Sequence, residues 1–186
     1  MIRTSLVILL VLTFITGLIY PLAMTAVAMG IFPEQAAGSL IVDHGRVTGS
    51  RLLGRQFDDP KYFWSRRSAT SPVPYNAASS SGSNYGPLNP DLQKAKEARR
   101  EALQKADPGN KADMPIDLLT SSGSGLDPHI SPAAAEFQAG RIARLRGLET
   151  SAVRALIVAN TSDRQLGFLG EAVVYVVALN RALDAK

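Results

Sequence analysis

Cysteine is absent from the 186 residues. Its absence excludes a disulfide framework, a thiolate zinc site and a sulfur nucleophile, while leaving the redox compartment open. Histidine occurs only at His44 and His129, which have no spacing that would pair them as metal ligands, so no metal cofactor is expected. No glycine is followed by Lys and then Ser or Thr, so the phosphate-cradling loop Gly-x-x-x-x-Gly-Lys-Ser/Thr is missing. Nucleotide hydrolysis by this chain alone is therefore not expected. Charge is missing as well from Thr4 to Phe32, where Leu, Val, Ile, Ala, Met and Phe dominate.

A helix over 4–32 would be roughly 43 Å long at about 1.5 Å per residue, enough to span a hydrocarbon core of about 30 Å even when tilted. A cleaved secretory signal is the alternative, since Arg3 supplies a minimal basic start and Ala26-Val27-Ala28 fits a small-x-small cleavage pattern. The apolar stretch is longer than the usual signal core, however, and it carries Thr13, Gly17, Pro21 and Thr25 at four-residue spacing. Such a row lies along one side of a helix, where small residues allow a second helix to approach closely and Pro21 permits a bend. The sequence thus predicts a transmembrane helix over 1–32 and one domain over 33–186. Before the span stand Arg3 and the amino terminus; after it Glu34 and Asp43 precede the first basic residue, Arg46. This asymmetry orients the N-terminus inward and the domain outside the cytoplasm, in the periplasm of a Gram-negative cell.

The net charge of +4 and pI near 9.6 do not indicate a nucleic-acid partner. The basic residues are interspersed with 16 acidic ones, and the densest group, Lys94, Lys96, Arg99, Arg100 and Lys105, shares its segment with Glu97 and Glu101. That mixture reads as a solvated helix face.

Within the domain, Ser39 to Val42, His44-Gly45 and Val47 read as strand, turn and strand. Leu52, Leu53 and Phe57 continue the apolar pattern toward Tyr62-Phe63-Trp64, an aromatic group suited to core packing. Residues 68–90 are rich in Ser, Asn, Gly and Pro, which suits either a flexible linker or a loop fixed by its own side-chain hydrogen bonds. A polar helix is expected from Asp91 to about Ala106, ended by Asp107-Pro108-Gly109. Ser131-Pro132 opens the next, with Ala134, Phe137, Ile142 and Leu145 inward and a stop at Gly147. Its Arg141, Arg144 and Arg146 complement the helix dipole. A further helix covers about 150–159, and the closing stretch from Glu171 to about Leu183, helix or strand by pattern, is assigned to helix. The fold class is α+β, with helices mainly in the second half.

Chemistry has few places to reside. Ser122 or Ser124 with Asp127 and His129 contains the residue types of a hydrolytic triad, but closeness along the chain is not geometry. Backbone amides of Ser122-Gly123-Ser124-Gly125 suit an anion nest or a partner contact, with Asp127 and His129 beside them, and an ordinary structural turn is the simpler reading.

Several runs resemble the C subunit of the Kdp potassium-transporting P-type ATPase of bacteria. They are residues 49–57 (Gly49 to Phe57), Tyr62-Phe63-Trp64-Ser65-Arg66-Arg67-Ser68-Ala69, residues 82–90 (Gly82 to Pro90), Ser122-Gly123-Ser124-Gly125-Leu126-Asp127-Pro128-His129-Ile130-Ser131, Leu166-Gly167-Phe168-Leu169-Gly170 and Leu179-Asn180-Arg181-Ala182-Leu183-Asp184. The resemblance covers almost the whole chain in order and departs from the pattern at Arg67, where proline is expected, and at Tyr175, where asparagine is expected. It implies a non-catalytic accessory subunit of an ATP-driven, high-affinity potassium importer in the inner membrane. Its partners would be a channel-like subunit, a P-type ATPase subunit and the bilayer. It also implies the family's role in assembly and as a catalytic chaperone that raises ATP affinity, ATP being the one cofactor so implied. That role sits against the topology, which puts the domain opposite the cytoplasmic nucleotide sites. The alternatives from the residues are a membrane-anchored periplasmic binding module and a periplasmic hydrolase.

Overall fold

Residues Ile2–Ile31 form one continuous helical rod in the computed structural model, which describes residues 2–43 and 45–186. None of the rod is buried, and it is long and apolar enough to cross a membrane. It comprises α1 (Ile2–Phe14), a π-helical turn (Ile15–Ile19) and α2 (Tyr20–Ile31). The π-turn precedes Pro21, which cannot donate a backbone hydrogen bond; the Tyr20 amide reaches back to the Ile15 carbonyl.

After a short turn of helix, α3 (Pro33–Ala36), strands β1 (Leu40–Asp43) and β2 (Arg46–Ser50) pair antiparallel with a bulge between Ile41 and Val42. The hairpin expected from sequence is present; the predicted turn position of His44 lies outside the described residues. The chain divides into two compact units, the first ending at Arg51 and the second running from Leu52 to Lys186.

The second unit contains α4 (Pro90–Ala106), α5 (Ile116–Leu119), β3 (His129–Ile130), α6 (Pro132–Arg146), α7 (Thr150–Ala159), β4 (Thr161–Ser162), β5 (Val173–Tyr175) and α8 (Val176–Asp184). The expected Ser131 cap forms, accepting from the Ala134 amide at the start of α6, and Asn89, not singled out from sequence as a cap, accepts from the Asp91 amide at the start of α4. Gly147 closes α6 with φ +66°. A three-stranded antiparallel sheet in the order β3-β5-β4 joins the ends of these helices.

Two expectations are corrected. The closing stretch is not helix throughout, because the amides and carbonyls of Val173–Tyr175 pair with β3 and β4 before α8 begins. On α6, Leu145 is exposed and Arg141 is buried in its place. The Arg141 guanidinium bonds the Tyr62 carbonyl and the Gln138 side chain and stands 5.0 Å from the Trp64 ring, so it is a core residue before it is a dipole partner. Burial pulls its pKa down to about 10.

The core gathers Phe63, Trp64, Leu103, Leu118, Ile130, Ile142, Val153, Val174, Leu179 and Leu183, with small alanines of α6 letting the helix approach closely. Phe63 and Trp64 run through it without a strand partner. Instead Asn180 accepts from the Phe63 amide at 2.9 Å and donates to the Phe63 carbonyl at 3.0 Å. Gln138 does the same for Trp64, at 2.8 and 3.2 Å. Truncating Asn180 strands two buried backbone groups at once. Asn180→Ala is expected to cost about 2–6 kcal/mol, since each of the two orphaned groups costs about 1–3, as read from the denaturation midpoint in mild detergent.

Candidate functional site

The segment from Ser121 to His129 contains almost every polar residue singled out from sequence, and the fold makes it a junction. The Ser122 amide donates to the Arg67 carbonyl, and the Gly54 amide to that of Leu126. The Ser124 carbonyl accepts from the Ser81 amide and the Ser80 hydroxyl. Gly125 sits at φ +70°, where an added Cβ would lie 2.6 Å from the Ser81 carbonyl oxygen and from the Thr70 methyl. Left-handed backbone and lack of room both demand glycine there.

Residues 68–90 therefore run as a pinned loop of the second unit, without a strand or helix before α4. The Ser68 hydroxyl donates to the Gly125 carbonyl at 2.7 Å and accepts from the Tyr75 amide at 2.9 Å. Thr70 closes the next turn through the Val73 carbonyl and the Asn76 amide. These are the side-chain bonds that let a sequence rich in Ser and Asn hold shape without a ladder.

Asp127 is the electrostatic centre of the junction. Its carboxylate accepts from the His129 amide at 3.0 Å, faces His129 Nδ1 at 3.3 Å and pairs with Arg66 at 3.1 Å. Burial alone would raise its pKa, but the His129 hydrogen bonds and the Arg66 charge outweigh burial and hold it below the usual carboxylate value. The His129 ring lies 5.8 Å from that of Tyr175.

The triad residues are only partly assembled. Among the described residues no hydrogen bond joins the hydroxyl of Ser122 or Ser124 to His129; Ser122 is buried, and the Ser124 oxygen accepts from the Leu126 amide. No group of three or more His, Cys, Asp or Glu side chains is placed to hold a metal ion among the described residues. The amides of Gly123, Ser124 and Gly125 reach no protein acceptor among those residues. Ser122, Gly123, Ser124, Leu52, Leu53 and Leu126 line an open depression of 400 Å³.

In the helical rod, Thr13, Gly17, Pro21 and Thr25 share a row whose alignment depends on the π-turn. Residues four apart in an α-helix overshoot a full turn by about 40°, so Thr25 would drift about 120° from Thr13. The extra residue accommodated in a π-turn sets the phase back by about 100°, leaving the two within about 20°. A Cβ added at Gly17 would meet nothing within 4 Å, so that side of the helix is open in the chain alone. Neither the π-turn nor its effect on the row was visible in the spacing.

A family model described as "KdpC: K+-transporting ATPase, c chain" matches residues 2–185. The chain is 57% identical over 183 residues to the potassium-transporting ATPase KdpC subunit of Polaromonas naphthalenivorans, covering 98% of this chain and 93% of that one. The subunit of the same name from Variovorax paradoxus is 57% identical over 185 residues, covering 100% and 96%. That from Sorangium cellulosum is 58% identical over 182 residues, covering 98% and 96%.

Because the folded pKa of Asp127 is depressed, its stabilising contribution is complete above the unfolded value of about 3.9 and is lost as pH falls through the lower folded value. Asp127→Asn should therefore cost about 2 kcal/mol at pH 7, the worth of a charge-assisted bond. The gap to the parent chain should close as the pH falls below about 3.9, as followed by denaturation at a series of pH values.

Proposed function

The chain belongs to the KdpC family, the c chain of K+-transporting ATPases, and from that premise we propose that it is a non-catalytic, membrane-anchored scaffold of a potassium-importing complex. The apolar rod crosses the inner membrane and stays attached, with the N-terminus in the cytoplasm and the second unit in the periplasm. Its partners are a channel-like potassium-translocating subunit and a P-type ATPase subunit.

The observation that carries this reading is the rod itself: thirty predominantly apolar residues with none buried, and a small-residue row kept in line across a π-turn. In hydrocarbon, close packing of backbones at small residues drives helix association, because apolar contact with lipid and with protein is nearly equivalent. Thr13, Gly17, Pro21 and Thr25 are accordingly the contact line to a partner helix. Thr25 and Thr16 satisfy their hydroxyls on the Pro21 and Leu12 carbonyls of their own helix, at 2.8 and 2.7 Å, so the side chains need no water.

The second unit carries the contact to the outer face of the complex. Gly123 and Ser124 offer amide donors at an open depression that Ser122 also lines, and Gly125, Asp127 and His129 fix the shape behind them; together these six residues form the candidate anion or partner contact. ATP binding and the raising of ATP affinity, which the family resemblance implies, are consistent with this reading only through the complex. A domain across the bilayer from the nucleotide sites acts on them by stabilising the assembled state.

Gly17→Leu should fill the open side of the rod and lower recovery of the partner subunits in mild-detergent purification by roughly tenfold, the effect of losing about 1.4 kcal/mol of packing. Unchanged recovery would remove the contact line from the proposal. A reporter fused after Lys186 should be active only in the form that requires the periplasm, and activity of the cytoplasm-dependent form would reverse the topology.

A further inference from the structure

Beside the junction, with which it shares Arg66, Arg67, Ser68 and Tyr75, the second unit contains a cleft of 230 Å³ between the segment around Gln56 to Asp58, residues Ser65 to Ser68, the turn at Tyr75 and Arg99 of α4. Arg66, Arg67 and Arg99 are among its lining residues, against a single lining acid, Asp58. Asp127, outside the lining, is already engaged by Arg66 and His129. Asp58 is exposed and takes a hydrogen bond from Gln56 at 2.7 Å. The cleft is therefore cationic beyond what its own acids neutralise.

Arg67 and Arg99 are held by backbone carbonyls that do not neutralise charge, while Arg66 is held by a carbonyl and by its ion pair with Asp127. Arg66 donates to the Ser121 carbonyl, Arg67 to that of Ala95, and Arg99 to those of Leu118 and Ser65. These bonds fix the groups in place and leave donors over. Arg99 is held below the ordinary arginine value, first by burial and then by the charge of Arg67. A counter-charge between them would relieve both effects.

The walls are rigid. The Tyr75 hydroxyl donates to the Arg66 carbonyl at 2.6 Å, and its ring stands so close to Gly54 that an added Cβ there would lie 2.3 Å away. The Trp64 ring, under the Arg99 guanidinium at 4.9 Å, backs the other side.

We propose that this cleft is a binding site for a small oxyanion of the phosphate or sulfate class, held by Arg66, Arg67 and Arg99. Guanidinium groups present several N–H donors in a fixed plane that matches such oxygens. The volume lies below the roughly 300–1,000 Å³ of sites that enclose larger organic ligands. It therefore takes a single tetrahedral anion with its water, and a nucleotide is too large for it. This site is distinct from the amide-lined depression and does not depend on how the rod packs.

The test is calorimetric titration of the full-length chain in mild detergent with sodium phosphate, sodium sulfate and sodium acetate, each at ionic strength matched with sodium chloride. Phosphate or sulfate should bind saturably at one site per chain and raise the melting temperature. Arg67→Gln, which keeps an amide donor but removes the charge, should weaken phosphate binding about tenfold, the worth of one charge-assisted bond. Asp58→Asn, at an exposed position, should strengthen it by up to about fivefold. The opposite signs separate a site from general attraction to a basic protein, and the Asp58 variant keeps the test decisive if Arg67→Gln misfolds. Heats no different from chloride would overturn the proposal, as would affinity unchanged in Asp58→Asn. Tighter saturation by acetate than by phosphate would assign the cleft to a carboxylate and overturn it as well.

Discussion

Two side-chain amides hold the second unit together where no strand could. Phe63 and Trp64 bring the largest apolar surface into the core, and with it four backbone groups that need partners. Asn180 from α8 and Gln138 from α6 each supply one donor and one acceptor, reproducing the pairing of a neighbouring strand. This clamps the extended segment to two helices at once. Arg141 adds its bond to the Tyr62 carbonyl and to Gln138, so the network is continuous from Tyr62 to Trp64. The Phe63 and Trp64 backbone groups and both side-chain amides are paired in it, while the Arg141 Nε stays buried without a partner among the described residues, and an unpaired buried group costs more than a made bond contributes.

From that clamp the arginines extend outward. Arg99 reaches the Ser65 and Leu118 carbonyls beneath its contact with Trp64; Arg146 reaches those of Lys61 and Leu183 and stands 4.7 Å from the Tyr62 ring. Without disulfides, long side chains with several donors are what tie irregular segments to helices. The positive net charge is thus largely structural. It also explains why the unit carries a cleft whose cations exceed its acids: the arginines are placed to satisfy neutral carbonyls, and the excess charge is left facing solvent.

The two units follow different physical rules. The rod has no buried residue and gains its order from intrahelical hydrogen bonds, which is sufficient only where neighbouring helices or lipid cover its sides. The second unit is held by a dense core and pinned loops. At its far end, the turn of Leu166, Gly167 and Phe168 leaves Leu166 at φ +53° and both apolar side chains exposed, a feature for which packing within the chain offers no reason.

Residue order alone dictated the features set by short-range physics. These were the apolar rod, the hairpin around Gly45, the Ser131 cap and the stop at Gly147. Each follows from a local demand of backbone geometry or solvent, and a neighbouring residue is enough to state it. Family membership was equally legible, because runs such as Ser122 to Ser131 are long and specific. Asn180 and Gln138 left only a faint signal, as polar residues in the inward register of helices whose other inward positions are apolar, beside Leu179 and Leu183 or Ala134 and Ile142. What they pair with lies 74 to 117 residues away, and no local pattern encodes that. The same holds for the burial of Arg141, the strand before α8, the convergence of Arg66, Arg67 and Arg99, and the π-turn. These depend on which surfaces and backbone groups meet across the fold, and only tertiary packing decides that.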